Sequence, residues 1–146
     1  QKTIPIIGNG EIKTTQEASH WLTEDTCSGV MIGRAALVNP LIFRELQPGL
    51  EHPTIPKPKA ITCRELIARF TKSAEQHCHP KVQLVKIKKV AAWLSIGHPM
   101  SVEFRSHLMR DIQQTSALLQ ACDEFFKAHT TPIPPTDLSF LKGGHG

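Results

Sequence analysis

Two glycine-rich stops in the first quarter of the chain carry the residues best suited to chemistry. Gly8-Asn9-Gly10 ends the apolar run Ile4-Pro5-Ile6-Ile7, and Gly33-Arg34 ends Gly29-Val30-Met31-Ile32. Glycine lets backbone N–H groups approach a ligand with little side chain in the way. Arg34 adds a permanent charge on a planar fork whose geometry suits phosphate. The chemistry these residue types support is anion binding, mostly through the main chain. On spacing alone, the same two stops also read as plain tight turns between strand and helix.

Such stops need elements to hold them. Short apolar runs bounded by glycine read as strands buried on both faces, the kind found in parallel sheets. Between the two runs, Thr14 and Glu17 have the spacing of a capping box, which predicts a helix with Ala18, Trp21 and Leu22 on its apolar stripe. Strand, helix, strand is the crossover that two parallel strands require. In a (β/α)₈ barrel the last two strand ends commonly form a phosphate site. A barrel needs roughly 250 residues, and two strands cannot bury their faces alone. The expectation is a C-terminal part of a longer chain, residues 1–46 being the last two βα units and six others preceding Gln1.

Beyond the second strand the pattern turns helical. Asn39 and Pro40 predict the start of a short helix carrying Leu41, Ile42 and Leu46. Residues 47–60, with Pro48, Pro53, Pro56 and Pro58, read as an extended linker. Over 61–129 four amphipathic helices are expected, forming a small antiparallel bundle. The first opens at a Thr62/Glu65 capping box, runs to about Cys78 and buries Cys63, Leu66, Ile67, Phe70 and Ala74. The second runs from about Lys81 to Ile96 and stops at Gly97-His98-Pro99. Ser101 caps a third that carries Val102, Phe104, Leu108 and Met109. A fourth spans about Ile112 to His129, with Leu118, Leu119, Cys122, Phe125 and Phe126 inward. Residues 130–146 read as a flexible tail. The fold class is thus α/β followed by all-α.

Composition narrows the classes. The 146 residues are 40% hydrophobic and 21% charged, an ordinary globular balance. No apolar run is long enough for a bilayer and no signal-peptide pattern opens the chain, so a cytoplasmic protein is expected; a monomer is expected as well. The net charge of +4 and a pI near 9.0 suit a polyanionic partner without demanding one. Cys27, Cys63, Cys78 and Cys122 show no C-x-x-C spacing and read as reduced thiols. His77-Cys78-His79 invites a metal, but adjacent helical residues diverge and no second ligand pair exists, so none is expected.

One helix face invites a second chemistry. Lys86, Lys89 and Trp93 follow at spacings of three and four, opposite the core residues Leu84, Ile87, Ala91 and Leu94. Val82 shares that face, while Lys81 and Lys88 fall to one side of the core. A solvated helix face with a partly tucked indole explains the pattern. So does a surface that tracks phosphates and stacks a base, as on looped RNA.

The text IPIIGNGEI…SGVMIGRAAL-x-NP resembles the seventh and eighth barrel strands of the tRNA-dihydrouridine synthases, a family of FMN-dependent oxidoreductases. The resemblance implies that Asn9, Gly10, Glu11, Gly33 and Arg34 bind the FMN phosphate, mainly by backbone N–H groups. Lys86-Ile87-Lys88-Lys89-Val90-Ala91-Ala92-Trp93-Leu94 is similar to the basic-x-Lys…aromatic signature of the family's tRNA-gripping helical domain. On that match Lys86, Lys88 and Trp93 contact tRNA, with Trp93 standing where the family pattern has Tyr. Arg110 matches a further basic position with the register displaced by one residue. The "NGEI" wording and the Lys-x-Lys helix are most similar to the C subfamily, which reduces the D-loop uridine at position sixteen. The implied reaction reduces the uridine C5=C6 bond with FMN recharged by NADPH, while a cysteine on a barrel loop supplies a proton. Cys27 precedes the last strand, the wrong end for that role. No catalytic residue is therefore expected in this chain, which should bind FMN feebly and lack activity alone. Another FMN-dependent barrel oxidoreductase and a non-catalytic RNA-binding module are the competing classes.

Overall fold

A computed structural model describes residues 4–23, 27–46 and 61–134. The linker expected over 47–60 and the tail beyond 134 lie outside the described residues. The described residues form two compact units, one drawn from the part before residue 56 and the other ending at Ile133.

In the first unit, strand β1 (Ile7–Asn9) pairs in parallel with β2 (Gly29–Met31), Gly8 opposite Val30. Helix α1 (Thr15–Thr23) makes the crossover. Its capping box forms as the spacing predicts. Glu17 N donates to Thr14 Oγ1 at 3.2 Å, and Thr14 N returns a bond to Glu17 Oε2 at 3.0 Å. Lys13 N adds a third at 2.6 Å. The Lys13 bond is the main reason the Glu17 carboxyl lies below the usual carboxylate range. Trp21 lies across Gly8, where a Cβ would come within 2.5 Å of the indole Cε3. Packing therefore demands glycine at that strand position. Leu22, expected on the apolar stripe, is instead exposed, because α1 turns inward on Ala18 and Trp21 only.

The segment after β2 departs from expectation. Helix α2 (Arg34–Val38) begins at once, and α3 (Ile42–Glu45) is a single turn. Asn39, expected to open a helix, closes one: its N–H donates to the Ala35 carbonyl at 2.8 Å. Its buried side-chain oxygen accepts from Leu41 N at 3.1 Å, an Asx-type turn. Pro40 has no N–H to extend α2, so the chain must break there. Ile12, Ala18, Ile32, Ala35, Val38 and Ile42 form this unit's small buried set.

The second unit contains α4 (Cys63–His77), α5 (Pro80–Leu94), α6 (Ser101–Arg110) and α7 (Thr115–Ala128). Thr62 and Glu65 make both arms of the α4 capping box. His79 caps α5 through its Nδ1, with Pro80 at the first helical position. One apolar cluster joins all four helices, including Ile67, Ile87, Leu94, Leu108, Leu118 and Phe126. Burial pushes the Cys63 and Cys122 thiols up to about 12.

Two boundaries differ from expectation here. Ser101 is the first residue of α6 rather than its cap; Met100 takes that place at φ 58°. Ser101 Oγ instead accepts from Arg105 Nη1 at 3.3 Å. Val102 and Met109, expected inward, are exposed, since α6 reaches the core through Phe104 and Leu108. The tail expected from residue 130 begins packed. Cys63 N donates to the Thr130 carbonyl at 2.8 Å, and Pro132 is buried. Ile133 covers Gly97, whose φ of 86° and a 3.0 Å approach to Ile133 Cγ2 both exclude a side chain. Among the described residues, no helix is long and apolar enough to cross a membrane.

Candidate functional site

Because β1 and β2 run parallel as neighbours, the chain leaves both at the same end. Gly10 and Glu11 follow β1; Gly33 and Arg34 follow β2. Asn9, the last residue of β1, is exposed with them. Arg34 Nη2 donates to Glu11 Oε1 at 2.8 Å, so a pair 23 positions apart in sequence closes across the two strand ends. The side chains are 32% and 50% exposed, so the ion pair contributes about 1 kcal/mol at most. Glu11 also holds φ at 41°, a left-handed conformation that costs a non-glycine residue about 1 kcal/mol or more. Stability does not explain the arrangement.

The fit to a phosphate rests on space and donors. A Cβ on Gly33 would meet nothing within 4 Å, leaving open room beside Arg34. A Cβ on Gly10 would make only an ordinary 3.7 Å contact with Trp21. Internal packing thus demands Gly8, whereas the neighbours of Gly10 and Gly33 would tolerate a side chain in the space around them. The guanidinium supplies several N–H groups in one plane. These residues fit a phosphate-bearing group. Cys27 precedes β2, and its thiol donates to the Trp21 carbonyl at 3.3 Å. It belongs to the other side of that strand from Arg34.

The second candidate face lies on α5. Ile87, Ala91 and Leu94 are buried, and Lys86, Lys89 and Val82 are exposed. Trp93 is half-buried beside them. Lys86 Nζ lies 3.4 Å from Cys78 Sγ. Lys88, expected to face tRNA, is turned inward: it is 7% exposed and its ammonium donates to the Ile112 carbonyl. The buried sector of α5 is wider than its aliphatic residues show, since it meets α4, α6 and α7 together. Ala92, one turn after Lys88, is buried with it. Arg110 is exposed at the end of α6 and donates to Ser106 Oγ.

Two other places carry less. Among the described residues no group of three metal-ligating side chains exists, and His79 is occupied in capping α5. A shallow groove of about 450 Å³ between α4 and α7 holds Arg64 paired with Asp123 at 2.6 Å, apart from the α5 face. The inward turn of Lys88 escaped motif matching, although its helical position one step off the exposed stripe pointed to it. The Glu11–Arg34 pair left no local signal, being a contact between loops.

Comparison with known proteins places these features. The family model described as dihydrouridine synthase (Dus) matches residues 1–130. A probable tRNA-dihydrouridine synthase of Mycobacterium leprae is 30% identical over 125 residues, covering 84% of this chain and 33% of the relative. Another from Aquifex aeolicus is 33% identical over 110 residues, covering 73% and 33%. The tRNA-dihydrouridine(16) synthase of Salmonella typhimurium is 32% identical over 92 residues, covering 63% and 27%. The chain thus spans about a third of the length of the curated relatives it matches, 33% in the first of them. Since the family match takes in both strand ends and runs past the last helix, the chain belongs to the dihydrouridine synthase family.

Proposed function

We propose that this chain supplies the flavin-phosphate corner and the RNA-gripping helices of a tRNA-dihydrouridine synthase. The observation that carries the reading is the convergence of Gly10-Glu11 and Gly33-Arg34 at one end of a parallel strand pair, with open space beside Gly33. Parallel strands joined by a helix suit the closing pair of a (β/α)₈ barrel, where phosphate sites commonly lie. Main-chain N–H groups of the two turns would hold the FMN phosphate, and Arg34 would add its fork. FMN, recharged by NADPH, would supply the hydride for the C5=C6 bond of a uridine.

The proton donor belongs elsewhere in the enzyme. Cys27 precedes β2, Cys63 and Cys122 are buried with thiols pushed up to about 12, and Cys78 ends α4. Cys27 thus lies at the opposite end of β2 from Gly33 and Arg34. The chain alone would therefore bind without reducing. On α5, Lys86 and Lys89 would track phosphates and Trp93 would stack on an unpaired base, with Arg110 a further contact. Lys88 is a strut of the helical unit rather than an RNA contact. The target is proposed as the D-loop uridine at position sixteen. The NGEI wording supports this, as does likeness to a Salmonella relative that bears that number in its name.

Gel shifts with unmodified tRNA across a salt series test the RNA reading. Each lysine that contacts a phosphate contributes about one unit of log–log salt slope. Lys86→Gln with Lys89→Gln should flatten the slope by about two units and weaken binding, whereas Lys88→Gln should leave it unchanged. An unaltered slope in the double variant removes the RNA role from this face.

A further inference from the structure

We propose that Glu11 is a built-in counter-anion of the phosphate site, pairing with Arg34 across the two strand ends and giving way when a phosphate arrives. The proposal rests on the reading of the strand ends as a phosphate corner and adds how that corner is kept ready. The carboxylate comes from the loop after β1 and the guanidinium from the start of α2, so their 2.8 Å contact bridges the turns a phosphate would bridge. Glu11 stands where an anion is wanted. Its backbone is held at φ 41°, a left-handed region uncommon for residues other than glycine. Here the neighbour is Gly10, and the side chain so presented reaches the permanent cation of the site.

The pair is built to be displaced. Arg34 meets the Glu11 carboxylate through Nη2, and both side chains are substantially hydrated. A phosphate dianion offers three oxygens and more charge, and it makes stronger bidentate contacts with arginine than a single exposed carboxylate. The two anions cannot share Arg34 without mutual repulsion, so the carboxylate must swing aside. Beside Gly33 there is room for the newcomer. Through its bond to Glu11, Arg34 is held across the two strand ends.

The consequence is opposite to that of an ordinary binding residue. Glu11→Gln keeps the shape and a hydrogen-bond acceptor but removes the competing charge. It should tighten FMN binding about threefold to tenfold. Riboflavin, which lacks the phosphate, should be unaffected. The measurement is titration of the isotope-labelled chain with FMN into the millimolar range, read on the backbone amides of Gly10 and Gly33. It is run on the native chain, Glu11→Gln, Arg34→Met and the double variant. Tighter FMN binding by Glu11→Gln, abolished when Arg34 is also Met, is the expected result. If Arg34→Met loses binding while Glu11→Gln binds equally or more weakly, the counter-anion role is overturned and the phosphate corner stands. If Arg34→Met binds as the native chain does, or no chain responds at millimolar FMN, the phosphate corner itself is overturned, and the counter-anion with it.

Discussion

The two units solve the burial problem differently. The helical unit closes on itself: Phe126, Leu118, Leu108 and Ile67 are each no more than 1% exposed, and every one of its four helices contributes to the cluster. The βαβ unit buries a thin set of mainly small or branched residues and leaves Ile7 and Met31, at 59% and 51%, exposed on its strands. A helix satisfies its backbone internally and needs only a neighbour for one stripe, whereas a two-stranded sheet has faces and edges left to cover. The contrast teaches where function sits. The residues proposed to bind an anion occupy the sparsely packed unit, at strand ends, while the helical unit offers an exposed stripe.

The sharpest way to break the comparison is to hollow out one side. Phe126→Ala should cost the helical unit about 3 to 5 kcal/mol, enough to abolish its cooperative thermal transition by circular dichroism. Ile7→Thr with Met31→Thr, on residues already exposed, should leave that transition within about 0.5 kcal/mol of native. Equal losses would mean that the two units do not fold on separate terms.

A smaller effect probes the βαβ unit. Gly8→Val must push Trp21 aside, since even a Cβ falls 2.5 Å from the indole. Overpacking of that kind costs about 1 to 3 kcal/mol. Trp21 fluorescence should shift toward the exposed wavelength, read in a Trp93→Phe background, with the helical transition unchanged.

The mildest perturbation uses pH. His98 is buried between Phe125, Phe126 and His129, and its Nε2 has no hydrogen-bond partner. Burial first, and then the His129 charge, hold its pKa below the usual 6.5. The unfolded chain therefore takes up this proton more readily than the folded one. The associated stability is present above about pH 6.5 and declines as the pH falls below it. Melting of the helical unit should be higher at pH 7.5 than at pH 5.5, and His98→Asn should narrow the difference. A difference of unchanged size in that variant would assign the acid sensitivity to other groups.

Local chemistry was legible in the sequence, and contacts between distant segments were not. Both capping boxes form as their spacing predicts, because Thr14/Glu17 and Thr62/Glu65 are satisfied within four residues. The core stripe of α5 follows from helical period alone. Asn39 misled because the same side chain can open a helix or end one, and only Pro40's place after α2 decides between them. Lys88 is placed by a different signal. Motif likeness ranked it with Lys86, while its angular position set it beside Ala92, facing the connection after α6. In the candidate site, Asn9, Gly10, Gly33 and Arg34 could be named from residue type. The link between Glu11 and Arg34 could not, since it depends on parallel pairing that brings two loops together.

The bond from Cys63 N to the Thr130 carbonyl has an engineering consequence. The helical unit's way in and way out meet at one doorway, closed by a single main-chain link. A piece with such neighbouring ends can be excised as a cassette, sealed into a ring with a short joint, and reopened at an exposed corner such as the one beside Pro99. The stripe proposed to meet RNA could then be carried, intact, onto a different host.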